Sequence, residues 1–388
     1  MLIRNKKVLF LFLFLTAVSN NLLFGDLRIG LLSLDNPLSL TVNICEGRYR
    51  MMIDGHYIIV NQDDNILINR AGSKILITTL GNNTILADSV ILEPYEDDFF
   101  FSIRNNLTEG DQKEYYGKLI VKSDIQSLLV INEVNEDCYL AGVVQAEAGF
   151  KGSIEYFKTQ TLLARTYLYM YINRHREDGY NLCDRTHCQA YHGKSQVKVI
   201  REAVNETRGQ VLTSQDSILV FTPFHSNCGG QTQSSENVWL RRTAHLLGVT
   251  DPYCAYSRNA RWMRKLRISE WILYLTEHGY THHKYDDLAF EQLSRKQNYS
   301  AGSFSYPLTR IREDLKLKST FFSVKLVDNN VILEGRGYGH GVGLCQEGAK
   351  VMAQRGFKMK EIIGFYFQGL QIMDINDVRQ TMEINSAF

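Results

Sequence analysis

The chain has 388 residues, with 43 Lys and Arg against 42 Asp and Glu and a formal net charge of +1. A balance so even excludes the basic footprint of a nucleic-acid binder, and nucleic acid is not an expected partner. The length suits two or three domains, and five Pro with no low-complexity segment or internal repeat argue against long linkers.

Arg4, Lys6 and Lys7 precede the apolar run VLFLFLFLTAV, so residues 1–25 read as a signal peptide or N-terminal anchor. The run is short of the roughly 20 residues that span a bilayer, which favours export with cleavage. No cleavage site of small residues stands out beyond Gly25. The expected location is therefore the cell envelope or periplasm, with membrane anchoring by this segment as the alternative. Seven Cys, an odd number, leave at least one thiol unpaired or bound to a metal in such a chain.

From Asp26 to about residue 125 the pattern is strand-like, with LRIGLL, SLTVNI, YRMMID, HYIIVN, KILITTL and KLIVKS separated by Gly, Asn and Asp turns. Asp54-Gly55 marks a hairpin. This stretch predicts a β-rich N-terminal module, 26–125, without a catalytic constellation of its own.

The densest chemistry lies between Tyr139 and Gly193. Leu140, Val143 and Val144 recur at helical spacing, and Glu147 falls on their side among Ala146, Ala148 and Gly149. A carboxyl held against apolar groups is harder to ionise and can act as a general acid near neutral pH; the alternative is a helix-end Glu bonded to a neighbouring backbone group or cation. A second helix starts at Ser153 as N-cap, with Glu155 in its first turn. Lys158 and Arg165, two turns apart, share a face of it and read as surface charges or as cations lining a cleft beside Glu147. CDRTHCQAYHG then places Cys183, His187 and Cys188 within six residues, with His192 four further on. Those ligand types suit a tetrahedral zinc ion; a Cys183–Cys188 disulfide, or pairing with Cys138, Cys228 or Cys254, remains open on spacing.

Gly209 to Val220 predicts a β-hairpin, followed by a loop in which His225, Ser226, Cys228 and Gly229-Gly230 can border a cleft. No GxSxG surrounds Ser226, which argues against a serine hydrolase. Residues 251–306 read as an insertion carrying Trp262, Cys254 and a helix capped by Ser269. A short helix and two strands then deliver GYGHG, where His340 clamps a loop or contacts substrate. Gln346 and Glu347 open the last helical region, which closes the core.

YLAGVVQAEAG, KTQTLLARTY, CDRTHCQAYHG, FHSNCGGQT and GYGHGVGLCQEGA, together with LRIGLLS near the start, resemble in order the motifs of the stage II sporulation protein D (SpoIID) family, which includes the LytB amidase enhancers. The fold implied is α+β, with antiparallel β elements packed by helices 140–176 and 346–370, a catalytic domain over 126–388, and a cleft bordered by Glu147 and the 183–193 and 222–232 loops. The resemblance implies a lytic transglycosylase acting on peptidoglycan glycan strands without stem peptides, with Glu147 as its acid. Lys158, Arg165, His225, Ser226, Cys228, His340 and Gln346 are then the expected substrate contacts. Cys183, His187 and Cys188 match a segment that some members use for zinc, so a structural zinc and no organic cofactor are expected. The alternative within the family is a non-catalytic enhancer whose partner is a cell-wall amidase.

Overall fold

The computed structural model describes residues 26–378, apart from positions 80, 82, 109, 111, 240 and 282–284. The basic and apolar leader at 1–25 lies outside the described residues. Among the described residues no helix is long and apolar enough to cross a membrane.

Alternation along the N-terminal strands sets their pairing. In Ser39–Ile44 every second residue, Leu40, Val42 and Ile44, is buried, and in Arg48–Ile53 the same holds for Tyr49, Met51 and Ile53. The strands form two sheets. One runs Leu182–Cys183, Leu27–Leu31, Leu128–Val134, Lys118–Ser123, Ser89–Pro94, Arg48–Ile53, His56–Asn61; the other runs Lys113–Tyr116, Phe100–Asn105, Ser39–Ile44, Asn65–Ala71, Lys74–Thr78, Thr84–Ala87. Their apolar faces share one core, in which Tyr49 of the first sheet meets Phe101 of the second edge to face, ring centroids 5.9 Å apart. Asp54 and Gly55 both take positive φ, 47° and 82°, in the tight turn between Arg48–Ile53 and His56–Asn61. That turn matches the right-handed twist of the strands it joins.

The first sheet does not stop near residue 125. Leu128–Val134 lies between Lys118–Ser123 and Leu27–Leu31, and Leu27–Leu31 also pairs in parallel with Leu182–Cys183. Its core is continuous with the buried faces of helices α1 (Glu136–Ala148) and α2 (Ile154–Tyr171), and of Gln346–Gln354 and Met359–Tyr366. The whole is α+β with a β-rich N-terminal region.

The hairpin expected over Gly209 to Val220 is reduced to a single bridge between Thr213 and Leu219. Gln210–Thr213 pairs instead with Gln371–Asp374 near the C-terminus. A second core gathers Trp271, Tyr299, Ile311, Val324 and Leu333. It is built on the antiparallel sheet Arg261–Arg267, Asn330–Arg336, Phe322–Val327, with helices Ile268–Glu277 and Leu308–Asp314. This unit therefore extends past the expected insertion at 251–306 to take in two later strands, whereas Cys254 belongs to the main core. Ser269 lies within its helix rather than capping it; Glu270 accepts the Arg267 N–H at 3.1 Å and serves that end.

Candidate active site

Helix α1 starts at Asn135, whose side chain accepts the Cys138 N–H at 2.8 Å, and ends at Gly149, where φ is +78°. Tyr139 to Val144 are all buried, so this is an interior helix with Glu147 emerging in its last turn. Glu147 Oε1 accepts the Ala190 N–H at 2.9 Å. Burial raises its pKa above the usual 4.5, and the Ala190 N–H opposes the rise. The carboxyl is thus tuned towards holding a proton.

The loop that supplies Ala190 is held on several sides. Asp184 accepts from Leu32 N–H at 2.9 Å and from the Ser33 hydroxyl, tying the CDRT segment to the first strand. Gln145 accepts from Ser195 Oγ at 3.0 Å and Gln196 N–H at 2.8 Å. Tyr191 is buried against Tyr139 and Tyr115 and donates to Asn132 Oδ1 at 3.0 Å. The close approach of helix and loop depends on Gly142, because a Cβ there would clash with the Gly193 carbonyl and the Tyr191 ring. We expect Gly142→Ala to cost about 1–3 kcal/mol through this overpacking, read as a lowered denaturation midpoint. An unchanged midpoint would mean that the loop can shift freely.

On the other side, Gln346 Nε2 donates to the Glu147 carbonyl at 3.1 Å and to Gln160 Oε1 at 3.3 Å. Phe224–His225 pairs in parallel with Leu344–Cys345 and brings the 222–232 loop alongside. Ser226 carbonyl accepts the Glu347 N–H at 3.0 Å, and the Glu347 carboxylate is held by Asn227 at 2.6 Å and Asn259 at 2.7 Å. Glu147, Ala190 and Gln346 therefore meet, with Ser226 one hydrogen bond removed from the start of the Gln346 helix.

The side chains of the other expected contacts are engaged by groups within the fold. Arg165 is 0 % exposed: its guanidinium donates to Glu136 Oε1 at 2.7 Å, Thr207 carbonyl at 2.6 Å and Val204 carbonyl at 3.3 Å. Glu136 opens α1 while Glu147 closes it, about 16 Å along the axis, so Arg165 is an internal pin and not a cleft cation. Lys158 is taken up by Glu155 at 3.2 Å and by Glu206. Cys228 is fully buried among other thiols. His340 clamps: its Nε2 lies 2.9 Å from the Phe224 carbonyl, its Nδ1 accepts the Val342 N–H at 3.1 Å, and burial pushes its pKa down to about 4. His225 is likewise buried and held neutral, first by burial and then by His340, with Nδ1 3.1 Å from the Val342 carbonyl.

Cys183, His187 and Cys188 do converge, and His175, just beyond α2, joins them, all four ligand atoms lying within 4.8 Å of one another. His187 Nδ1 is 3.8 Å from Cys183 Sγ and 3.7 Å from Cys188 Sγ. Asp178 Oδ2 sits 2.8 Å from His175 Nδ1, leaving His175 Nε2 buried and without a partner among the described residues. His192 is exposed and outside the group. His175 was invisible in the sequence because it lies eight residues before Cys183, in a run of surface charges; the RHRED context offered no ligand spacing.

Comparison with known proteins matches the site region. A family model described as Stage II sporulation protein covers residues 124–214, which includes Glu147 and the Cys/His loop. An uncharacterized protein of Brachyspira hyodysenteriae is 30 % identical over 310 residues, covering 74 % of this chain and 80 % of that one. The amidase enhancer of Bacillus subtilis is 29 % identical over 285 residues, 59 % of this chain and 39 % of that protein's length. Stage II sporulation protein D of Bacillus amyloliquefaciens is 27 % identical over 257 residues, 61 % of this chain and 73 % of the relative. On these matches and on the motifs around Glu147, the chain belongs to the SpoIID family.

Proposed function

We propose that the protein is an exported cell-wall enzyme, a lytic transglycosylase that cleaves peptidoglycan glycan strands, with Glu147 as its acid and then its base. The observation that carries this reading is Glu147 itself: a half-buried carboxyl with a raised pKa, aligned by one backbone N–H at the mouth of a stitched loop. Protonated, it gives its proton to the bridging oxygen that leaves N-acetylmuramic acid. As carboxylate it then accepts the proton of that sugar's C6 hydroxyl, whose oxygen closes a 1,6-anhydro ring on C1. One carboxyl performs both transfers, so the paired carboxyls of ordinary glycosidases are not required. With Lys158 and Arg165 engaged elsewhere, the polar groups left to orient the sugar are Gln346, Ser226 and the backbone of the 189–193 loop.

The group His175, Cys183, His187 and Cys188 has the ligand types and count of a closed zinc site, and Asp178 behind His175 is the carboxylate that often orients such a ligand. A zinc ion there would fix the loop that carries Ala190. The proton transfers remain with Glu147.

Digestion of denuded glycan strands by the chain starting at Asp26, followed by mass spectrometry, tests the proposal. Anhydro-muramic ends are expected; reducing ends would make the enzyme a hydrolase. Because the acid must be protonated in the free enzyme, kcat/KM is expected to fall along an alkaline limb set above the ordinary glutamate value of 4.5. The similarity to an amidase enhancer supports a second reading, in which the chain binds glycan or an amidase and cleaves nothing. Intact strands together with stimulation of an added N-acetylmuramoyl-L-alanine amidase would favour it.

A further inference from the structure

A second cluster of metal-ligating groups lies in the main core, apart from the Cys/His loop. Cys228, Asp251, Cys254 and Cys345 are each 0 % exposed, and one ligand atom from each lies within 4.8 Å of the other three. Cys228 Sγ is 3.3 Å from Cys254 Sγ and 3.2 Å from Asp251 Oδ2. A tetrahedral ion with zinc–sulfur bonds near 2.3 Å has edges of about 3.8 Å, so small movements suffice to seat one. We propose that these four side chains hold a structural zinc ion.

Three features beyond proximity support it. The sulfurs accept backbone N–H groups as thiolates do: Cys228 N–H to Cys345 Sγ at 3.3 Å, Gly348 N–H to Cys345 Sγ at 3.4 Å, Gly230 N–H to Cys254 Sγ at 3.3 Å. Cys345 is moreover the N-cap of helix Gln346–Gln354, where a negative sulfur is favoured. The carboxylate is oriented from behind, Asp251 Oδ1 accepting the Tyr253 N–H at 2.8 Å and Oδ2 the Tyr366 hydroxyl at 2.9 Å. A buried carboxylate among neutral thiols has no cation beside it and would be costly; a zinc ion supplies one by direct coordination, and the net charge of two minus on zinc with three thiolates and one carboxylate then calls for an outer cation. The half-buried Arg295, which donates to the Cys228 carbonyl at 2.6 Å, offsets part of that. Three soft donors favour zinc over magnesium or calcium. A Cys228–Cys254 disulfide is the competing arrangement, but it strands the third thiol and leaves Asp251 uncompensated.

With all four ligands protein-derived and buried, the site is closed and structural. It ties together the 224–230 loop, the 251–254 segment and the start of the Gln346 helix. Cys345 directly precedes the residue that bonds the Glu147 carbonyl, so the ion secures the rear wall of the candidate active site.

The test is metal content of the chain purified under reducing conditions, in a Cys183→Ser, Cys188→Ser background that removes the outer group. One zinc per chain is expected to remain, to be lost on adding Cys254→Ser, and to persist with Asp251→Cys. If Cys254→Ser does not fold, cobalt substitution in the folded background protein reports instead, through sulfur-to-cobalt charge-transfer absorption. A folded background protein that holds neither zinc nor cobalt overturns the proposal, as does peptide mapping that finds Cys228 and Cys254 joined by a disulfide.

Discussion

Glu147→Gln is expected to lower glycan cleavage by about 10² to 10⁴-fold, the contribution of a positioned general acid and base. The amide keeps an oxygen for the Ala190 N–H and nearly the same shape, so the loss falls on kcat rather than on folding. Stability moves the other way. Burial makes ionised Glu147 unfavourable in the fold, so the folded state binds its proton more tightly than the unfolded chain. The resulting penalty is absent well below pH 4.5 and grows as pH rises through that value to the folded pKa. Gln has no such term, so the variant is expected to melt at the same temperature as the parent near pH 4 and at a higher one at pH 7. This exchange of stability for activity is common at active sites. A variant that still releases anhydro-muramic ends at the parent rate would remove Glu147 from the chemistry, whatever its melting behaviour.

Much of the fold was legible because its signals are local. Alternation in Ser39–Ile44 and Arg48–Ile53 and the Asp54-Gly55 turn announce antiparallel strands within a few residues. Small residues around Glu147 announce an interior helix end, and the ligand types in CDRTHCQAYHG announce a cluster. What could not be read depends on partners far along the chain. Gln210–Thr213 pairs with a strand some 160 residues later, and the local pattern suggested only a hairpin with the residues that follow. Cys228, Asp251, Cys254 and Cys345 show no motif spacing, since pairing of Phe224–His225 with Leu344–Cys345 is what assembles them. Lys158 and Arg165 share a helical face, yet periodicity says nothing about which element covers it. α3 (Lys198–Glu206) does, and its last carbonyls, with Glu136, claim the guanidinium.

That placement makes Arg165→Met the second large effect, and it separates two roles for the residue. As an internal pin, Arg165 satisfies Glu136, which also takes the Tyr169 hydroxyl, and the carbonyls of Val204 and Thr207 at the end of α3. A cation is favoured at a helix C-terminus, and removing it strands a carboxylate and carbonyls that water reaches poorly. Breaking such a pair costs about 3–5 kcal/mol, and the low end applies because the Glu136 side chain keeps 23 % of its exposure. For a chain of this size, at about 2 cal/mol/K of unfolding entropy per residue, that is a fall in melting temperature of roughly 4 °C, with kcat per folded molecule unchanged. Adding Glu136→Gln should recover part of the loss, because the stranded charge is then gone. If Arg165 instead held the substrate's lactyl carboxylate, Arg165→Met would leave the melting temperature in place, raise KM and show no coupling to Glu136. The geometry favours the first outcome, since the helix axis separates Glu136 from Glu147 by about 16 Å.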